Sequence, residues 1–262
     1  MSGRVNIAPG EPGATLHGSI ITSNQKDRYL SVTKNGSTLT VTFDLDTHLS
    51  VNIRTDVTMD ISLPSDAAVN LKVSGASADT NISGFELKDV RLETASGRTA
   101  MSGCSGSALH IGSVSGRIDV DDVQFNDIDA GCVSGSIDVK NASGAVTAHS
   151  TSGTVRITNA AGDISVSNTS GSVFVTQQQK DIGHIHVNVI SGGIELMLNP
   201  DAAFNLAAQS TSGGLNTDYD ITVSGSMSKK IVGTDISGKV NGGGANIDLS
   251  TVSGGIRVLK SE

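Results

Sequence analysis

Six aspartates in one short region are the side chains of this sequence best suited to chemistry. Enzymes that cleave polysaccharides need two carboxyl groups beside the scissile bond, about 5–5.5 Å or 6.5–9.5 Å apart. Sugar-cleaving grooves usually carry aromatic platforms as well, and only Phe125 lies near this region. We interpret the region as a solvated face with a loop, with a catalytic pair and a weak Ca²⁺ site as alternatives. The six residues are Asp119, Asp121, Asp122, Asp127, Asp129 and Asp138.

Histidines form a second candidate site. His184 and His186 are two residues apart, which places both imidazoles on one face of a strand. Two imidazoles are half of a zinc site, and His149 is the nearest further ligand to be considered. No cysteine and no third well-placed carboxylate completes the set, so the pattern favours ordinary exposed histidines.

Three weaker motifs have structural interpretations. Residues 243–249 partly match the nonapeptide that binds Ca²⁺ in β-rolls, but Asn246 replaces a glycine and the phrase occurs once, so we expect a corner. The glycine-rich stretches lack the phosphate-binding P-loop pattern. Ser150 follows His149, but no Gly-x-Ser-x-Gly elbow surrounds it. The sequence therefore predicts no catalytic, cofactor-binding or metal-binding residue and no cofactor.

A recurrent Ser-Gly-x-[Ile/Val]-x-[Ile/Val] phrase must position all these side chains. Five strong copies begin at intervals of 19, 18, 18 and 21 residues. Within each phrase apolar and polar residues alternate, which predicts a short strand with one buried side. A fixed interval of this length is typical of stacked coils. The copies begin at Ser115, Ser134, Ser152, Ser170 and Ser191.

Weaker copies at the half-interval complete one coil. Glycines 135, 144, 153, 162 and 171 follow each other at a nine-residue step. Glycine supplies a positive φ at a corner, and the serine hydroxyl bonds nearby backbone there. Each coil is therefore predicted as strand, corner, strand, corner, and stacking gives two sheets with a shared aliphatic core. The phrase becomes irregular after residue 200, where we expect a C-terminal cap.

Aligning the phrases predicts vertical columns of side chains. One inward column consists of Ile118, Ile137, Val155, Val173 and Ile194. The second, two residues further along each strand, consists of Val120, Val139, Ile157, Val175 and Leu196. On the outward side, Asp119, Asp138 and Arg156 would lie above one another, and Asp121 beside Lys140 and Thr158. We expect a solvated salt-bridge ladder in which Arg156 or Lys140 compensates the aspartates, with a ligand site as the alternative.

Composition excludes several classes of function. A formal charge of −8 and a pI near 5.1 argue against nucleic acid and against an anionic membrane surface. No 18-residue apolar run exists, so no segment is expected to span a bilayer. Residues 1–4 open without an apolar signal core, which leaves either a cytoplasmic protein or a leader or anchor that precedes Met1. Cys104 and Cys132 are expected on different sheets as free thiols, with a disulfide as the alternative.

The first 70 residues differ from the repeats. Residues 28–33 and 37–44 alternate and flank Lys34-Asn35-Gly36, a strong hairpin signal. Residues 49–54 and 57–63 are predicted as two more strands, the second stopped by Pro64. We predict an N-terminal β cap at residues 1–70 that merges into a Ser-Gly repeat solenoid at residues 71–262.

The chain resembles a known family in these repeats and in its closing segments. The Ser-Gly phrases from residue 74 to 193, residues 224–230, the three glycines 242–244 and residues 247–258 carry the likeness. They resemble the bacterial putative-adhesin family of β-solenoid proteins, a domain-of-unknown-function group, over roughly residues 60–262. The resemblance implies a β-solenoid of the cell envelope or surface, often behind a membrane anchor, with no established catalytic residues.

The sequence thus predicts an all-β solenoid with 18–22-residue coils and a non-enzymatic role. About nine coils at roughly 4.8 Å each would give a rod on the order of 40 Å. We expect an adhesin-like or scaffold protein of the cell envelope that binds protein or glycan through polar faces. The alternatives are a polysaccharide lyase or hydrolase using Asp119–Asp138, and an intracellular scaffold that polymerises through exposed sheet ends.

Overall fold

The computed structural model describes residues 2–11, 13–18, 30–35, 38–43, 56–64, 69–223 and 234–261. These residues form strands and turns, with no helix among them and therefore no apolar helix of the length that crosses a bilayer. The predicted all-β class is confirmed. The strands are β1 (Ser2–Pro9), β2 (Gly13–Gly18), β3 (Leu30–Asn35), β4 (Thr38–Phe43), β5 (Asp56–Leu63), β6 (Asn70–Ser83), β7 (Asp89–Ser102), β8 (Ser105–Thr158), β9 (Ile164–Ser170), β10 (Val173–Gln177), β11 (Ile185–Ser191), β12 (Ile194–Leu198), β13 (Phe204–Ser212), β14 (Leu215–Thr217), β15 (Thr222–Val223), β16 (Thr234–Val240), β17 (Ala245–Ser253) and β18 (Ile256–Lys260).

The long strands bend at corners, so one strand serves two faces of the solenoid. β8 has 54 residues because its strand pairing continues through the corners of almost three coils. Before each Ser-Gly pair the chain runs in a first parallel sheet, where Val146 pairs with Ile164 and Ile164 with Ile185. After the pair it runs in a second parallel sheet, where Val155 pairs with Val173 and Val173 with Ile194. This register is the predicted stacking of coils.

The inward columns form the core as predicted. Thr99 pairs with Ile118 at the lower end of the column, and Ile194 pairs with Ile256 at the upper end. All ten aliphatic residues of the two predicted inward columns are at most 1% exposed. Because each coil buries only a few branched side chains, the core is continuous along the axis rather than concentrated in one cluster.

Corner positions stack on one another as strictly as the strands do. Gly135, Gly153 and Gly171 follow each other in one column, where a Cβ on each would collide with the carbonyl oxygen of the glycine one coil earlier. Gly144 and Gly162 are related in the same way at a second corner. The nine-residue alternation predicted from the sequence is therefore present.

The coil nevertheless has a third corner and a short third side. Gly103, Asp122, Asn141 and Asn159 have φ between 47° and 58°, the left-handed region that Asn and Asp tolerate best after glycine. Between this corner and the half-interval glycines, short segments pair in parallel, as in the 2.9 Å bond from the Gln124 N–H to the Cys104 carbonyl. The two-corner coil predicted from Ser-Gly phrases is incomplete because Asp and Asn serve as corner residues too.

The N-terminal strands attach to the first coil of the solenoid. β3 and β4 pair antiparallel with Asn35 opposite Thr38, which confirms the hairpin, and β4 pairs parallel with β6. β5 covers the predicted strand 57–63, whereas the predicted strand 49–54 lies outside the described residues. β1 lies between β5 and β6 and pairs parallel with both. The division into residues 1–70 and 71–262 stays a prediction.

At the C-terminus the order of coils in space differs from their order in sequence. β17 pairs with β11 on one side and with β13 on the other, and β18 lies in the same way between β12 and β14. The last coil of the chain is thus inserted between two coils that precede it. The turn after β16 makes this possible, because β16 and β17 lie on opposite sides of β13.

Candidate functional site

A groove runs along the Ser-Gly corner, parallel to the axis of the solenoid. Its volume is about 960 Å³, within the range of ligand sites. Seven successive coils line it, beginning with Ser74–Ala76, and each of the first six contributes three residues, whereas the last contributes Asn188 and Ile190. At the usual strand spacing the groove extends roughly 30 Å. We call it the corner groove.

One wall of the corner groove is an exposed apolar ridge. The residue directly before the corner serine is Val114, Val133 and Ile190 in three of the coils, and these side chains are 50–53% exposed. Val252 continues the same row at 51% exposure. The corner requires two successive outward residues, so the strand alternation breaks and an apolar side chain is left in solvent.

The floor is strand backbone, and the small polar side chains of this column are buried behind it, on the core side. Thr94, Ser113, Cys132, Ser150 and Asn168 occupy this column at 3–8% exposure. The Asn168 amide donates to the Gly153 carbonyl at 3.0 Å, and the equivalent Ser210 hydroxyl donates to the Gly254 carbonyl at 2.9 Å. Polar side chains occur here because a corner carbonyl that leaves the ladder needs another donor.

The outward row opposite the ridge has a gap at its centre. The position three residues before the corner serine is Glu93, Gly112, Gly131 and His149 in four successive coils. Nothing lies within 4 Å of a Cβ built on Gly112, and only the Ile111 carbonyl lies near one built on Gly131, at 4.0 Å. Neither glycine has a positive φ. The backbone therefore does not require glycine there, and the two residues leave the groove open.

Both carboxylates near the gap already have a hydrogen-bond partner. The Arg91 guanidinium donates to Glu93 Oε1 at 2.6 Å and thereby lowers the pKa of that carboxyl. His110 Nδ1 lies 2.9 Å from Asp129 Oδ2 on the neighbouring outward positions. The centre of the corner groove thus combines apolar side chains with the paired carboxylate of Glu93 and the imidazole of His149.

The acidic region is divided between different faces of the molecule. Asp119, Asp121 and Asp138 follow the Ser-Gly corner on the second sheet, Asp127 and Asp129 precede it on the first sheet, and Asp122 is a left-handed corner residue. Sequence proximity therefore does not bring the six carboxylates into one cluster.

Two arginines and a lysine pair with the aspartates of the second sheet. Asp119 accepts from Arg98 and, at 2.5 Å, from Arg117. Asp138 lies 3.3 Å from Arg117 and 3.6 Å from Lys140. These contacts form the salt-bridge ladder expected from the sequence, with Lys140 as one predicted partner.

Arg156 and Asp121 contact residues other than those that the sequence predicted for the salt-bridge ladder. The Arg156 guanidinium lies 5.0 Å from the centroid of the Phe174 ring, one coil further along. Asp121 accepts a hydrogen bond from the Asn141 amide at 3.1 Å. Because Phe174 offers Arg156 an aromatic face, the charge does not compensate Asp138.

His149 does not lie with His184 and His186. His184 Nδ1 accepts a hydrogen bond from the Asn246 backbone N–H at 2.9 Å, which occupies one possible ligand atom. His184 and His186 line a shallow cavity of about 380 Å³ on the first sheet with Asp163 and Asp248. His149 belongs to the corner groove instead. Among the residues that the structure describes, no group of three or more His, Cys, Asp or Glu is placed to hold a metal ion.

The remaining candidate residues have structural positions. His149 is exposed and Ser150 is buried, because neighbouring residues of a strand point to opposite faces. Gly242 and Gly243, with φ of 92° and 86°, turn the chain between β16 and β17. Both cysteines are free and buried, and burial raises the pKa of the Cys104 thiol.

Comparison with known proteins identifies the family. The model of the family described as Toastrack DUF4097 matches residues 2–259. The chain belongs to the Toastrack DUF4097 family. This match confirms the predicted membership of a β-solenoid group of unknown function and extends it over the N-terminal strands.

Other comparisons with this Toastrack chain are sparse. A solved structure described as a putative cell adhesion protein from Clostridium sporogenes ATCC 15579 is similar at 10% identity, over 99% of this chain and 89% of that one, with a TM-score of 0.28. No curated protein matches.

The corner groove of this Toastrack chain was not predicted from its sequence. The Ser-Gly pairs indicated where the corners are. The sequence does not show at which residue the inward–outward alternation of the strand stops, so the buried polar column looks like a row of outward polar residues. One signal was present: Gly112 and Gly131 are glycines at outward strand positions with no turn around them.

Proposed function

We propose that this protein is a non-enzymatic, adhesin-like protein of the cell envelope or surface that binds its partner along the solenoid. One observation supports this most: a groove of about 960 Å³ runs along the axis, and Glu93, the carboxylate that lines it, accepts a hydrogen bond from Arg91. A long open groove with partnered charges suits recognition of an extended partner.

The alternative of a polysaccharide lyase or hydrolase has less support. Asp119 and Asp138 are neighbours in one column, but both contact Arg117. Arg117 therefore already occupies both carboxylates, whereas a catalytic pair must be free to flank the scissile bond.

Binding and turnover can be measured on the same preparation. Fluorescently labelled protein is incubated with isolated bacterial envelopes, and soluble polysaccharides are assayed for new reducing ends. We expect saturable envelope binding without turnover, unchanged in the variant Asp121→Asn with Asp138→Asn. Turnover that this double variant abolishes would replace the proposal by the enzymatic alternative.

A further inference from the structure

We propose that the last coil of the chain, β17 with β18, is exchanged between two copies of this protein that fold together. Each copy then inserts its last coil between β11–β12 and β13–β14 of the other copy. The inference goes beyond the proposed function and does not depend on it. Three observations carry it: the register of the flanking coils, the sequence distance of the contacts that the last coil makes, and the connection that precedes β17.

The two coils that flank the last coil are in register with each other. Ser253 of β17 pairs with Ser191 on one side and with Ser212 on the other, and β18 lies in the same way between β12 and β14. Ser212 follows Ser191 by 21 residues, as Ser191 follows Ser170, with which it pairs directly. The flanking coils therefore fit each other without the last coil, which makes that coil a separable insert.

The contacts of the last coil join residues that are far apart in the sequence. The Ser250 hydroxyl of β17 donates to the Asn188 amide oxygen of β11, 62 residues earlier, at 3.1 Å. Contacts over a short sequence distance form faster, because closing a short loop costs less entropy. The last coil is therefore the part of the chain that finds its place late, and a second copy that folds nearby competes for it.

A second copy offers the last coil the same contacts that its own chain offers. Arg257 of β18 lies 3.1 Å from Glu195 of β12, and an exchanged coil meets the same carboxylate in the other copy. Four aliphatic side chains of the coil, each at most 2% exposed, are buried against the flanking coils: Ile247, Leu249, Ile256 and Val258. Exchange of an identical element preserves all of these contacts, so the two arrangements differ only in the connection.

The connection before β17 is a surface turn rich in glycine. Asn241, Gly242 and Gly243 have φ of 50°, 92° and 86°, and the first two residues are exposed. The Asn241 amide donates to the Ala202 carbonyl at 2.8 Å, which holds the turn near the start of β13. Glycine adopts left-handed and extended conformations equally well. Opening the turn therefore costs little strain and directs β17 towards another copy.

The test uses copies of the whole chain that carry one new cysteine each. His186→Cys lies on β11 and Asp248→Cys on β17, where the two residues are exposed and pair with each other. Thr147→Cys with Asp248→Cys is the matched control, because Thr147 lies in the same outward column, two strands before His186. A double variant with His186→Cys and Asp248→Cys in one chain checks that these two positions are close enough for a disulfide.

The two chains, one of them carrying a tag that changes its mass, are unfolded in urea, mixed, refolded together under reducing conditions and oxidised with diamide. We expect a disulfide-linked heterodimer from His186→Cys with Asp248→Cys, in a yield about tenfold above that of the Thr147→Cys pair. Exchange holds the first two thiols together, whereas collision links both pairs alike. Equal yields, the absence of any heterodimer, or a double variant without an intramolecular disulfide would each overturn the proposal.

Dilution separates exchange from association through exposed sheet edges. Two exchanged copies must partly unfold before they separate, whereas strands paired at an edge need not. We therefore expect a dimer of the unmodified protein, isolated by size-exclusion chromatography after refolding at high concentration, to remain a dimer for hours at nanomolar concentration. A dimer that dissociates within minutes would show edge association in place of exchange.

Discussion

At the scale of single residues, glycines occur in this chain for two different physical reasons. At Gly135 a Cβ would collide with the Gly116 carbonyl oxygen of the coil below, so only glycine lets the corners stack. At Gly131, four residues earlier, the space in front of the Cα is open. The same residue type therefore maintains the fold at one position and empties a groove at the other.

Alanine at these two glycines should change stability in opposite directions. Gly131→Ala should stabilise the protein by about 0.5–1 kcal/mol, because alanine loses less backbone entropy on folding. Gly135→Ala should destabilise it by at least about 1–3 kcal/mol, because the stacked backbones must separate. Urea unfolding followed by circular dichroism measures both. Equal effects of the two variants would contradict the stacked-corner geometry.

Tyr219 makes stability depend on pH in the alkaline range. Its hydroxyl lies 2.8 Å from the Leu198 carbonyl oxygen and 2.9 Å from that of Asn199, so it must keep its proton to donate. Burial, with a smaller contribution from Asp218, raises the pKa of Tyr219 to about 12. Since the unfolded tyrosine ionises near about pH 10, the stabilisation is present below that pH.

Stability should therefore fall as the pH rises from about 10 towards 12, because the unfolded state releases the proton first. Urea unfolding at a series of alkaline pH values should show a steeper decline for the unmodified protein than for Tyr219→Phe, which has no proton to lose. Parallel declines of the two proteins would show that the Tyr219 contacts do not couple to folding.

At the scale of elements, the coil is the unit that can be removed. The register joins Ser152 to Ser170, eighteen residues on, in the same column. Deleting residues 152–169 joins Thr151 directly to Ser170, so every inward column continues with one member fewer. A nine-residue deletion, such as residues 152–160, instead joins Thr151 to Ala161. One first-sheet strand then follows another, and the second-sheet strand between them is missing.

The eighteen-residue deletion should therefore keep folding better than the nine-residue deletion. We expect a cooperative melt and a β-sheet circular dichroism spectrum for the former, and a loss of both for the latter. The same thermal collapse in both variants would count against the coil as the repeating unit.

At the scale of the whole molecule, the inserted C-terminal coil joins elements that would otherwise be separate. β17 and β18 bury Ile247, Leu249, Ile256 and Val258, each at most 2% exposed, between the coils on either side. Tyr219 reaches across the same coil from the end of β14 to the end of β12. The end of the chain therefore acts as an interior layer of the solenoid.

Removing residues 245–262 should consequently cost more than removing an internal coil of the same length. Four aliphatic side chains at about 1.5–3 kcal/mol each are comparable with the total stability of a typical domain. We expect the truncated chain to melt at a much lower temperature than the chain without residues 152–169. A truncated protein that melts higher would indicate that β13 repacks directly against β11.

The sequence determined the local and repetitive parts of this structure. The 18- or 19-residue interval gave the coil, alternation gave the inward columns, and Asn35-Gly36 gave the β3–β4 hairpin, because each depends on neighbours in the chain. The salt-bridge ladder was also predictable, since equal positions in successive repeats lie above one another. Of the candidate site, only the unexplained glycines at 112 and 131 were visible in advance.

Tertiary structure alone decided which coils are neighbours and what the surface between them offers. Nothing local places Ile256 between Ile194 and Leu215, because strand pairing rewards buried area and complete hydrogen bonding irrespective of chain order. The Arg156–Phe174 contact and the corner groove arise in the same way. Side chains from successive coils meet there only because the corners stack, and sequence spacing does not reveal where a strand stops alternating.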